Sequence, residues 1–311
     1  MINAPTTSAA EPTTGLAALR PLLGEINDLK RVRAAGWAGS LASIGFTRSW
    51  AALVGGEDTV RVAVREAARA VAAARLGGID AAVLGQGGLS AVETAEVLRG
   101  AIDAVGVGLD AGFRERLKAA VCEPDDEAKG DVPGFVALLE AQPRAGATRP
   151  GHPRLVLEPP ESHAEHCYVT AVYGVLLSPA FGAEPATPFL AGLAHHLHNA
   201  GLPDSGFAGE ELLGPHLDAV MARFTARALA TLPSGLAGRV ENARRVLDGA
   251  GSPEARAFHA ADVLDRVLQM VQYHRVAAFE LSQALDDLDL VHPGPLLAFQ
   301  TGVLSAAGLR P

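Results

Sequence analysis

At 311 residues the chain has room for two domains or one large one, and with 49% hydrophobic but only 5% aromatic residues its core must be built from Ala, Leu and Val. That composition favours close-packed helices over a β-sandwich. A net charge of −9 and a pI of about 5.6 lack the basic field that nucleic acid or an anionic membrane surface would require, so neither is an expected partner.

Residues 1–14 belong to a stretch rich in Thr, Ala and Pro without the basic and apolar regions of a signal peptide, and read as a disordered tail. From 15 to 125 the pattern is helical. TVRVAVREAARAVAAARL (59–76) sets Val60, Val62, Val64, Ala67 and Val71 close to one face, and residues 91–105 and 110–121 continue in that style. LGQGGLS (84–90) lacks both GxGxxG spacing and a Lys-Ser/Thr ending, so it reads as a turn between helices. Nothing in this half carries evident chemistry. Residues 126–153 are rich in charge, Pro and Gly and read as a linker region around a short helix, FVALLEAQ.

From 154 to 311 the helical pattern resumes. HAEHCYVTAVYGVLL is expected to form a helix ended by Ser178-Pro179, and TPFLAGLAHHLHNAG a second one closed at Gly201. Two further helices follow over 209–232 and 234–247. The stretch 252–288 forms one long helix or two, begun by Ser252 as N-cap with Pro253 at N1. The longest apolar run, YVTAVYGVLL, is about half the ~20 residues of a bilayer crossing. Cys122 and Cys167 are too few for a disulfide framework and fit a reduced, cytoplasmic setting.

His163 and His166 stand three apart on one expected helix, and His195 and His198 on the next, so each pair shares a helix face. Asp262, set among Ala260, Ala261, Val263 and Leu264, reads as a buried carboxylate that must be paired, hydrogen-bonded or metal-bound. Around these, His216 and His259 read as surface residues, Asp265 as the partner of a neighbouring Arg on a solvated face, and Cys167 as a small buried residue. Asp286, Asp287 and Asp289 read as a solvated acidic turn.

ESHAEHC, LAHHLHNA and SPEARAFHAADVLDRVLQMVQY resemble, in order and rough spacing, three segments of the HD-domain metal-dependent phosphohydrolases, in particular the branch containing the 5′-deoxyribonucleotidases. The resemblance covers about residues 150 to 290. It implies an all-α, HD-domain-type helical bundle preceded by a helical N-terminal domain. The implied metal ligands are His166, His195, His196 in place of the HD aspartate, and Asp262. The family glutamate falls on Asn199, which cannot accept a proton at neutral pH. A further family aspartate matches Asp204, which with His198 or His163 is left as the candidate proton shuttle. An imidazole does not bridge two cations as a carboxylate does, so His196 points to a single ion, and three imidazoles with one carboxylate suit a divalent transition metal (zinc, cobalt, nickel, iron or manganese) better than magnesium or calcium. His198 has a second reading, as a cap on the helix C-terminus.

The implied function is hydrolysis, by a metal-activated water, of a nucleotide-like or other small phosphorylated metabolite, with homodimerisation expected from the resemblance alone. Two alternatives are a degenerate, non-catalytic binding or scaffold protein, suggested by Asn199, and an HD-fold iron oxygenase, which the altered HD pair disfavours. DLKRVRAAGW (28–37) resembles the family's lead-in segment, so the N-terminal half is either a duplicated copy without metal or an unrelated helical domain covering the active-site mouth.

Overall fold

The computed structural model describes residues 15–124, 130–277, 280–287, 290–291 and 293–309. The expected N-terminal tail and Asp289 lie outside them. Among the described residues the fold is all-α, with two isolated β-bridges and no strand. Six helices form the first part: α1 (Leu16–Asp28), α2 (Leu41–Val54), α3 (Thr59–Leu76), α4 (Ala81–Gln86), α5 (Ala91–Val105) and α6 (Ala111–Ala120). The region 126–153 carries α7 (Gly134–Ala141), which buries Phe135, Val136 and Leu139 and sets Phe135 edge-on to Trp50. Then come α8 (His163–Phe181), α9 (Ala186–Ala194), α10 (Gly206–Leu213), α11 (Leu217–Leu229), α12 (Ser234–Arg244), α13 (Pro253–Ala277) and α14 (Leu297–Ala306).

The centre of the molecule is α8. It is buried along most of its length and on every face, as in a helix enclosed by others. It packs against α13, α9, α2 and α3, and one apolar cluster runs from Leu16 to Leu309. A capping box starts the helix: Ser162 Oγ accepts from the Glu165 N–H, and the Glu165 carboxylate accepts from the Ser162 N–H. His166 thereby falls in the buried second turn. The expected stop at Ser178-Pro179 is corrected. Pro179 lies inside α8, which ends at Phe181 before the left-handed Gly182.

The expected single helix over 187–201 is also corrected. The α-helix closes at Ala194, His196 takes φ −104° and ψ 21°, and Leu197–Ala200 form a tighter 3₁₀ turn. His195 and His198 therefore do not share a helical face. Of the stretch 252–288, expected as one long helix or two, the described residues form α13 and a short π turn at Gln283–Asp287. Ser252 Oγ caps α13 as expected, accepting from the Ala255 N–H.

Gly192 lets α9 lie directly on α8. A Cβ there would stand 2.5 Å from Ala171 Cα. Gly192→Ala is expected to force the two helices apart and lower the urea midpoint, at about 1–3 kcal/mol for overpacking. An unchanged midpoint would refute this contact.

Candidate metal centre

The close approach of α8 and α9 sets His166 against the helix end at His195. Their Nε2 atoms lie 2.9 Å apart. His166 Nδ1 donates to Asp265 Oδ2 at 2.6 Å, and His195 Nδ1 donates to the Gly192 carbonyl at 2.8 Å, a tautomer assignment made from these partners. With both rings neutral, both Nε2 atoms carry lone pairs, which repel at this distance unless a metal ion or a shared proton lies against both. Burial, first of all, holds the His195 pKa well below its ordinary value.

His196 completes a group in which one ring nitrogen each from His166, His195 and His196 lies within 4.8 Å of the others. Its Nδ1–H donates to Asn199 Oδ1 at 2.9 Å, leaving Nε2 as the third free lone-pair site. From α13, Asp262 Oδ1 stands 3.4 Å from His166 Nε2 and 4.0 Å from His195 Nε2. Tetrahedral bonds of about 2.0–2.1 Å would separate ligand atoms by about 3.3 Å, so the donor set fits a small borderline cation. Burial works against the Asp262 charge, but Arg266 and His166 hold it well below the usual carboxylate range. Cys167 Sγ lies 3.9 Å from His195 Nδ1 and is fully buried, the small buried residue expected.

Several expectations are corrected. The fully buried aspartate is Asp265, at 0% exposure, while the Asp262 side chain remains 18% exposed. Their spacing of three places both on the face of α13 that meets His166. Asp265 accepts from Asn27 Nδ2 at 3.0 Å and from Lys30 Nζ at 2.8 Å as well as from His166. The N-terminal half is therefore not without a part in the site. Lys30, 4% exposed, also pairs with Glu161, and its ammonium sits within the second acidic group that could take a cation, Glu161, His166 and Asp265. His259 is buried and bonds the Val246 carbonyl at 2.9 Å, not a surface residue, whereas His216 is exposed as expected.

The three residues expected to move protons lie to one side. Asp204 accepts from the Ala145 and Gly206 amides at 2.9 Å each and faces His163 Nε2 at 3.3 Å, so it clamps two loops together. His163 is fully buried, and burial lowers its pKa. His198 is buried with no hydrogen-bond partner at Nδ1. With Asn199 and Asp204 it lines a cavity of about 10 Å³, room for about one water.

Burial, then Arg244, lowers the His198 pKa to about 4, and burial lowers that of His259. Both groups bind a proton more readily when unfolded. Their effect is absent above the unfolded value of about 6.5 and destabilises as pH falls towards 4. Metal-stripped protein is expected to show a lower urea midpoint at pH 5 than at pH 7.5, and equal midpoints would contradict these neutral buried rings.

Comparison with known proteins places this geometry in context. Residues 139–287 match the family model described as HD domain, which supports assigning this segment to the HD-domain superfamily. HD domains bind divalent metals, and the family suggests metal-dependent phosphohydrolase activity in general. No curated protein and no solved structure matches the chain. Among the described residues no helix is long and apolar enough to cross a membrane.

Proposed function

We propose that the protein is a mononuclear metal-dependent phosphohydrolase acting on a nucleotide-like or other small phosphorylated metabolite, with His166, His195, His196 and Asp262 holding the cation. The facing His166 and His195 nitrogens, 2.9 Å apart with their outer nitrogens engaged elsewhere, carry this reading. A divalent cation held there supplies positive charge to a phosphoryl oxygen and acidity to a water. The chain's own residues do the rest. Asp265 and the Gly192 carbonyl fix two imidazole tautomers, and Asn199 fixes the third as a positioning residue. Arg266, 3.2 Å from Asp262 Oδ2, adds a guanidinium for an anion beside the metal.

One observation favours the second reading, a ligand-binding protein that does little chemistry. Each nearby carboxylate is already engaged: Asp204 by two amides and His163, Glu161 by Lys30, Asp265 by Lys30, Asn27 and His166. The deciding experiment loads purified protein with zinc, cobalt, manganese or iron, with and without oxygen, and measures metal stoichiometry together with phosphate released from a phosphomonoester panel. One metal per chain and chelator-sensitive release support the hydrolase. One metal with no release supports the binding protein, and two irons with oxygen consumption support the oxygenase.

Replacing Asn199 tests its positioning role. Asn199→Ala is expected to weaken metal binding by about 10–100-fold, as loss of an outer-sphere partner does, and Asn199→Asp to retain it. Competition with a chromophoric chelator reads both; equal affinity for wild type and the Ala variant would remove the role.

A further inference from the structure

Beside the cation ligands lies a cavity of about 350 Å³, within the range of small-molecule sites. Its walls come from residues 143–161 and from α13. Two residues join it to the metal cluster: Arg266, paired with Asp262, and Glu161, whose Oε1 is 4.0 Å from His166 Nδ1.

Three guanidiniums line it, from Arg144, Arg154 and Arg266. Arg144 Nη1 and Arg266 Nε are buried without a hydrogen-bond partner, an uncommon state for a charged donor that an anion would relieve. Of the two carboxylates in the lining, Glu161 is engaged by Lys30 and Glu158 is exposed. The remaining surface is largely aliphatic, from Val156, Leu157, Met270 and Leu290.

The amide and the aromatic ring among the described lining residues are already engaged. Gln269 Oε1 accepts from Arg31 Nη1 at 2.8 Å. Tyr273, the one aromatic residue among the described residues of the lining, is 2% exposed and donates its hydroxyl to the Pro159 carbonyl at 2.6 Å, so its ring offers no free face for stacking.

We infer that this cavity holds the body of the substrate, and that the substrate is a small aliphatic phosphomonoester whose phosphate is gripped by Arg144 and Arg266 beside the cation. The inference rests on the metal-centred reading above and narrows it from nucleotide-like compounds to those with a short alkyl body.

Calorimetric titration of the zinc-loaded full chain with three non-hydrolysable phosphonates tests it: methylphosphonate, n-butylphosphonate and the phosphonate analogue of adenosine monophosphate. The butyl compound is expected to bind about tenfold or more tighter than the methyl compound, from burial of its extra methylenes, and tighter than the nucleotide analogue. Arg144→Ala is expected to weaken butylphosphonate binding at least ~10-fold. Arg154→Glu, which sets a repelling carboxylate at an exposed position of the cavity rim, is expected to do the same, with circular dichroism to check that the helices persist. Equal binding of the methyl and butyl compounds, preference for the nucleotide analogue, or indifference to Arg154→Glu overturns the inference. Phosphate release measured on the same samples separates the two readings. Turnover without alkyl preference overturns only this inference. Arg-dependent butylphosphonate binding without turnover of butyl phosphate supports this inference and overturns only the catalytic reading.

Discussion

His166→Ala is expected to leave less than a tenth of a metal ion per chain and to reduce phosphate release by more than the ~10–100-fold that follows loss of an outer-sphere partner. The imidazole has two tasks, and alanine removes both. Its Nε2 faces His195 and Asp262, and its Nδ1 donates to Asp265. Asp265→Asn separates them, because it keeps the ligand ring but weakens the carboxylate that orients it. That variant is expected to bind metal about 10–100-fold more weakly while still reaching one ion per chain when metal is in excess. Elemental analysis after gel filtration reads both variants, with circular dichroism to check that the helices persist. A fully metallated His166→Ala protein would dismiss the proposed centre.

Lys30→Met is expected to destabilise the fold by about 3–5 kcal/mol, the usual penalty for breaking one side of a buried ion pair. Both Lys30 and Asp265 are almost wholly enclosed, and the ammonium also neutralises Glu161. Without it the two carboxylates beside His166 lose their directly bonded cation, and Arg144 acts on them only through space. Burial opposes the Asp265 charge, and Lys30 and then His166 hold its pKa below the usual range. Its stabilising contribution is therefore complete above the unfolded value near 4 and is lost as pH falls through the lower folded value. Combining Lys30→Met with Asp265→Asn is expected to recover part of the loss, since the stranded charge goes with its partner. Urea unfolding of the single and double variants reads the cycle, and a Lys30→Met change below about 1 kcal/mol would show that the pair is not what holds the aspartate.

Much of the architecture was legible because it rests on local signals. Alanine-rich periodicity announced helices, Ser252-Pro253 marked the start of α13, and the paired histidines marked the segments that meet. Misreadings arose where tertiary contacts decide. Asp262 and Asp265 stand in the same apolar run, and only the packing of α13 on α8 makes the second the enclosed one. The α-helix was expected to continue through His195 because nothing in HHLHNA breaks one, yet the chain tightens into a 3₁₀ turn there. Lys30 lies 235 residues from its aspartate, beyond the reach of any pattern along the chain. Pro179 reads as a stop, but it occupies the last turn of a helix that ends two residues later.

The Gly192 contact on Ala171 also bears on how firmly the two rings are held. Two main chains already touching cannot yield inward, and the hydrogen bonds behind His166 and His195 resist movement outward. The separation of the ring nitrogens is thus set by the backbone, and a cation bound there would meet two donors already in place.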